Sequence, residues 1–117
     1  TSAVAGGQIS PFGHFGEDAV SPEWRAQFAA AMMTSWDRFQ RMVGDDYGIR
    51  WLPTYEETRR REPQEMERFM PGWRVLDPAD HPFPVDHMVR YRTMYVETPR
   101  FLAQLTRDFL QAGGTFK

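Results

Sequence analysis

Cysteine is absent, no apolar run approaches the thickness of a bilayer, and neither sign of charge dominates. The first absence excludes a disulfide scaffold, a thiolate metal centre and a cysteine nucleophile, and it leaves the redox compartment open. The second excludes a spanning helix. The longest apolar stretch, Phe28 to Met33, is far shorter than the ~20 residues such a helix needs. Fourteen basic against sixteen acidic residues leave a net charge of −2, which gives no electrostatic footprint for nucleic acid or an anionic membrane. What is present is 41% hydrophobic and 15% aromatic residues in a chain of 117. That is enough apolar material to pack one core and too much for general disorder.

Glycine and proline punctuate the chain unevenly. Gly6, Gly7, Pro11, Gly13 and Gly16 predict a mostly irregular stretch over residues 1–20 with room for one short strand. Ser21-Pro22-Glu23 is a helix start: a capping hydroxyl, a first residue with no amide hydrogen to lose, and a carboxylate at the positive end of the dipole. Trp24, Phe28, Met32, Ser35, Phe39 and Met42 then recur every three or four residues and predict an amphipathic helix of about six turns ending near Gly44. Asp45-Asp46 predicts a turn. Tyr47 to Tyr55 reads as a strand with Pro53 at an edge or bend. Glu56 to Phe69 mixes Arg59-Arg60-Arg61 with five glutamates and reads as a solvated loop and short helix. Trp73 to Asp77 reads as a short strand, and Pro78, Pro82 and Pro84 hold an irregular connector.

Met88 to Val96 is β-branched and aromatic enough for a second good strand. Thr98 is the expected cap of a closing helix with Pro99 as its first residue. Phe101, Leu102, Leu105, Phe109 and Leu110 form its apolar stripe, and Gly113-Gly114 stops it. A strand, a helix, a glycine stop and β-prone Thr115-Phe116 read as an incomplete strand–helix–strand unit. Both ends read as cuts through continuing structure, so a segment of a larger α+β protein is expected.

Few side chains announce chemistry. His81 and His87 each follow an aspartate, but Pro82 and Pro84 break the stretch between them and no third ligand is spaced for a metal, so they and His14 read as loop histidines. No GxGxxG fingerprint and no nucleophile elbow is present. The tripeptide Gly6-Gly7-Gln8 echoes a peptide-release motif that belongs to strongly basic domains, and the slightly acidic balance excludes that reading. Tyr91 and Tyr95 share one face of their strand and can line either a core or a pocket.

Two blocks together resemble a family. Thr1-Ser2-Ala3-Val4-Ala5-Gly6-Gly7-Gln8-Ile9-Ser10-Pro11 is similar to the T-[ST]-x-x-A-[AG]-G-x-x-x-P segment beneath the flavin of FAD-dependent D-amino-acid-oxidase and glycine-oxidase-like enzymes. Tyr91 through Gly114 resembles that family's strand, Pro, Phe-Leu-x-x-Leu helix and terminal glycine, and the elements between come in the family's order. The resemblance implies an interior fragment of a two-domain FAD-dependent oxidoreductase. Residues 1–20 would be the flavin-facing loop and residues 21–117 part of the substrate-binding domain, a long amphipathic helix with mixed strands. The dinucleotide-binding motif would precede these residues, and the main substrate-binding residues would follow them.

By position, the resemblance implies that Thr1 and Ser2 lie near the FAD phosphates or ribityl chain. Gly6, Gly7 and Gln8 would present backbone to the isoalloxazine ring, and Ser10 would face the substrate. Gln8 stands where the family has an apolar residue, and Ser10 where D-amino-acid oxidases carry a larger polar one, which favours the wider family over a particular substrate. The implied reaction is oxidation of an amino acid or amine at its C–N bond, with hydride passing to flavin and O2 reoxidising it. The implied partners are that small substrate and the remaining segments of the same enzyme, without nucleic acid, membrane or metal. No catalytic residue is assigned within these residues, and the 117 alone are expected to be inactive. The alternative is a small, non-catalytic α+β module that binds a protein partner.

Overall fold

A computed structural model describes residues 7–10, 19–59 and 67–117. The first helix, α1 (Pro22–Arg41), begins as its sequence requires: Ser21 is extended and its hydroxyl accepts the Trp24 amide at 3.2 Å. Glu23 sits in the first turn, where a backbone amide and then the Ser21 hydroxyl hold its carboxyl below the ordinary range. The helix buries its stripe over only half its length. Trp36 is buried and Met32, Phe39 and Met42 pack around it, whereas Trp24 is exposed and stacks on Phe28 with ring centroids 5.2 Å apart.

Three strands form one antiparallel sheet: β1 (Ile49–Glu57), β2 (Arg74–Leu76) and β3 (Met88–Val96), in the order β1-β3-β2. The last coincides with its sequence-based range. The first begins and ends two residues later than expected. Residues 45–48 turn the chain, with Gly48 at φ +65, which uses Tyr47 as a turn residue. Pairing with β3 then runs on to Glu57↔Met88, through glutamates whose polarity disguised them as loop. Pro53 sits mid-strand without cost. It lies opposite Arg92, whose amide donates the other way to the Pro71 carbonyl at 2.9 Å, so the missing N–H of Pro53 faces the open edge.

The closing helix, α2 (Thr98–Gln111), corrects one expectation. Glu97, not Thr98, occupies the capping position, and its side chain makes no capping bond. Its carboxylate is engaged elsewhere, by Arg50 Nε at 2.8 Å and Arg100 Nε at 3.3 Å, which also holds it below the ordinary carboxylate range. The C-terminus follows the expected chemistry. Gly113 at φ +86 lets its own amide reach the Leu110 carbonyl and the Gly114 amide reach that of Phe109, so both last-turn acceptors are satisfied. No further strand follows as far as Lys117, so the strand–helix–strand unit is represented by β3 and α2 alone.

Among the described residues the architecture is therefore α+β, two α-helices and a three-stranded antiparallel sheet. Its core has two parts. Trp36, Ile49, Phe69 and Met94 pack between α1 and one sheet face, and Met70, Val89 and Tyr91 with Trp73 pack on the other. No α2 residue is buried: Phe101 reaches Phe39 and Tyr47, while Leu102, Leu105, Phe109 and Leu110 stay exposed. Among the described residues no helix is long and apolar enough to cross a membrane.

Candidate functional site

The central strand β3 needs hydrogen-bond partners on both edges, and β2 covers only Met88 to Arg90. The remainder of that edge is completed from the opposite end of the sequence. The Ile9 amide donates to the Met94 carbonyl at 3.0 Å, the Val96 amide donates to the Gly7 carbonyl at 2.8 Å, and the Thr93 hydroxyl donates to the Ile9 carbonyl. The two sequence blocks that carry the family resemblance are thus hydrogen-bonded neighbours, 84 residues apart at Ile9 and Thr93. Gly7 is needed for this approach, because a Cβ there would lie 2.0 Å from the Val96 carbonyl oxygen. Gln8 pairs with Tyr95 as an antiparallel bridge. Since Gly7 and Ile9 aim their bonds at β3, Gln8 turns its own backbone N–H and carbonyl outward.

The pairing register places Arg50, Leu52, Thr54 and Glu56 of β1 beside Tyr95, Thr93, Tyr91 and Val89 of β3, on the face away from α1. A polar array results. The Tyr91 hydroxyl donates to Glu56 Oε2 at 3.0 Å, and the hydroxyls of Thr54 and Tyr95 lie 3.3 Å apart. Tyr91, Thr93 and Thr54 are buried, Tyr95 is half-buried, and Glu56 and Gln8 are exposed. Burial, followed by the neighbouring Glu56 carboxylate, pushes the Tyr91 phenol well above the ordinary tyrosine range, while a side-chain bond from Gln8 pulls weakly the other way.

That shift has a measurable consequence. A raised phenol binds its proton more tightly in the folded chain, so its contribution is complete below the unfolded tyrosine pKa of about 10 and is lost as pH rises above it. Unfolding midpoints measured from pH 8 to 11 should fall at the alkaline end. Tyr91→Phe should flatten that fall, leaving the share of Tyr47, which is also raised by its bond to Asp108. An alkaline slope unchanged by Tyr91→Phe would show that the phenol is not held this way.

Of the residues assigned to a cofactor or substrate by resemblance, Thr1, Ser2 and Gly6 lie outside the described residues, as does His14. Gly7 gives its carbonyl to β3. Gln8 turns its backbone groups outward and exposes its side chain. Ser10 is half-buried just beyond the bridge. Arg59 is exposed, and the rest of the arginine cluster lies outside the described residues. His81 sits in the proline-rich connector as expected, yet it is buried and stacks on Phe83, and neither ring nitrogen has a hydrogen-bond partner.

Sequence reasoning missed Thr54 and Glu56. The signal was available, since Thr54 and Glu56 alternate with Pro53 and Tyr55 at strand spacing, but the dense charge after Tyr55 masked it. Chemically, the array combines a carboxylate, two phenol oxygens, a threonine hydroxyl and a carboxamide. The exposed Glu56 carboxylate keeps acceptor capacity beyond the Tyr91 bond, so the array can accept hydrogen bonds from N–H donors. No protein-family model matches this chain, and no curated protein matches it.

Proposed function

We propose that these residues form part of an FAD-dependent oxidoreductase that oxidises the C–N bond of an amino acid or amine. One observation carries the reading. The segment that resembles the family's flavin-facing loop is bridged to β3 beside the Tyr91–Glu56 array, which supports a cofactor-facing backbone next to groups able to accept hydrogen bonds from an amine. The bare apolar face of α2 supports a neighbouring segment packing there.

Bound FAD would supply the redox chemistry, taking hydride from the substrate's α-carbon and passing the electron pair to O2 as hydrogen peroxide. The chain's own residues bind and orient. Glu56 accepts hydrogen bonds from the substrate nitrogen and takes the proton that converts ammonium to free amine. The free amine so formed has the lone pair that loss of hydride from the α-carbon requires, and the extra N–H proton of the resulting iminium would pass to bulk water. Tyr91, donating to Glu56, fixes the carboxylate, and Gln8 offers its backbone N–H to the ring edge.

The test is steady-state oxidation of a panel of D-amino acids, glycine and N-methylated amines by the full protein that carries these residues, with peroxide as readout. Glu56→Gln should reduce kcat/KM about 10²-fold or more, with the loss largest below the substrate's ammonium pKa. Peroxide formation unaffected by Glu56→Gln would remove the array from the reaction. A second reading, a non-catalytic module that binds a partner through α2, draws on the exposed Leu102, Leu105, Phe109 and Leu110. It requires a protein that carries no flavin.

A further inference from the structure

On the opposite sheet face, beside α1, the register sets Trp51 next to Met94, Pro53 next to Arg92, and Tyr55 next to Arg90, with Arg74 of β2 across from Arg90. Arginines and aromatics therefore interleave: the Arg92 guanidinium lies 5.9 Å from the Trp51 ring centroid, and that of Arg90 lies 5.9 Å from the Tyr55 ring centroid. Where this face meets α1 there is a cavity of about 530 Å³, walled by Trp36, Trp51, Pro71 and Gly72 and edged by Arg68, Arg92 and Gln40. The two indoles meet edge to face at 5.5 Å and form the aromatic part of the cavity wall. Arg68 bonds only the Met33 sulfur, and neither it nor Arg92 has a carboxylate partner among the described residues.

Two guanidinium groups that have no carboxylate partner among the described residues, at the mouth of a cavity walled by indoles, suit a planar oxyanion carried on a flat ring. The number of charges is limited by Asp37, which lines the adjoining hollow of about 380 Å³ together with Arg68 and would repel a second negative charge. We infer that this cavity binds a small aromatic monocarboxylate, its ring against Trp36 and Trp51 and its carboxylate between Arg68 and Arg92. The site lies across the sheet from the Tyr91–Glu56 array and does not depend on the oxidoreductase reading.

Indole-3-acetate is the probe, added to the full protein with 15N-labelled tryptophan. Saturable shifts are expected at the Trp36 and Trp51 indole N–H signals only. Trp24 lies outside the cavity and Trp73 packs on the other face, so both should stay still. Arg92→Met and Arg68→Met should each weaken binding roughly 10- to 100-fold, the size of a lost charge-assisted bond, and Arg92→Lys should recover part of it. Both arginines are exposed, and an unmoved signal from Trp73, which packs on the other core cluster, reports an intact fold in the variants. The inference is overturned by the absence of saturable shifts, or by indole-3-acetamide binding as tightly as the acid. Tighter binding of phenyl phosphate or of a single-stranded oligonucleotide would also overturn it, assigning the face to another ligand class.

Discussion

Gly7→Ala is expected to strip residues 7–9 from β3 while leaving the β1–β3 ladder intact. The new methyl would collide with the Val96 carbonyl oxygen at 2.0 Å, and backbone on both sides leaves nothing flexible to yield. The bonds at stake are Val96 to Gly7 and Ile9 to Met94, each worth about 1 kcal/mol, together with the hydroxyl bond from Thr93. Hydrogen exchange should show the Val96 amide opening roughly tenfold or more faster, because its acceptor is gone. The Thr58 amide, which donates to the His87 carbonyl at the far end of the sheet, should keep its rate. Amine oxidation should fall in the same variant although Tyr91 and Glu56 are untouched. Unchanged Val96 exchange would mean that this edge is covered some other way.

Trp36→Ala should have the larger effect on stability, about 3–5 kcal/mol, read as a drop in the denaturant midpoint. Trp36 is the one buried residue of α1, and it meets Trp51 and Phe69 edge to face at 5.5 and 5.2 Å. Truncation leaves a cavity between the helix and the sheet that Met32 and Phe39 do not reach across, since each already packs at its own site on the core's margin. Trp36→Phe should cost less, because one ring edge remains for Phe69. A cost below about 1 kcal/mol for the alanine variant would show that α1 is not anchored through this residue.

How far these features were legible follows from the physics of each. The start of α1, the range of β3 and the stop after α2 rest on local devices, namely a capping hydroxyl with proline, β-branched alternation and a glycine of positive φ, and local devices show in a sequence. The depth of α1 burial was not legible. The periodicity of Trp24, Phe28 and Met32 is the same whether or not a sheet lies beneath, and the sheet reaches only as far as the C-terminal half. The cap at Glu97 was not legible because Thr98 has the better intrinsic capping side chain, whereas Glu97 makes no capping bond and spends its carboxylate on an ion pair with Arg50, 47 residues away. The candidate site was half legible. Gly7 and Gln8 stood out by composition and Tyr91 and Tyr95 by alternation, but their juxtaposition needs the β3 edge, which no local signal specifies. Glu56 was hidden within a run of charge until its register opposite Val89 gave it a face.

The proposed chemistry meets its most direct test in the visible absorption spectrum of the purified full protein that carries these residues. Oxidised flavin bands should be present in stoichiometric amount. They should bleach when an amino acid or amine is added without oxygen, and return with peroxide when air is admitted. A colourless protein, or one whose bound flavin no amine reduces, would contradict the account.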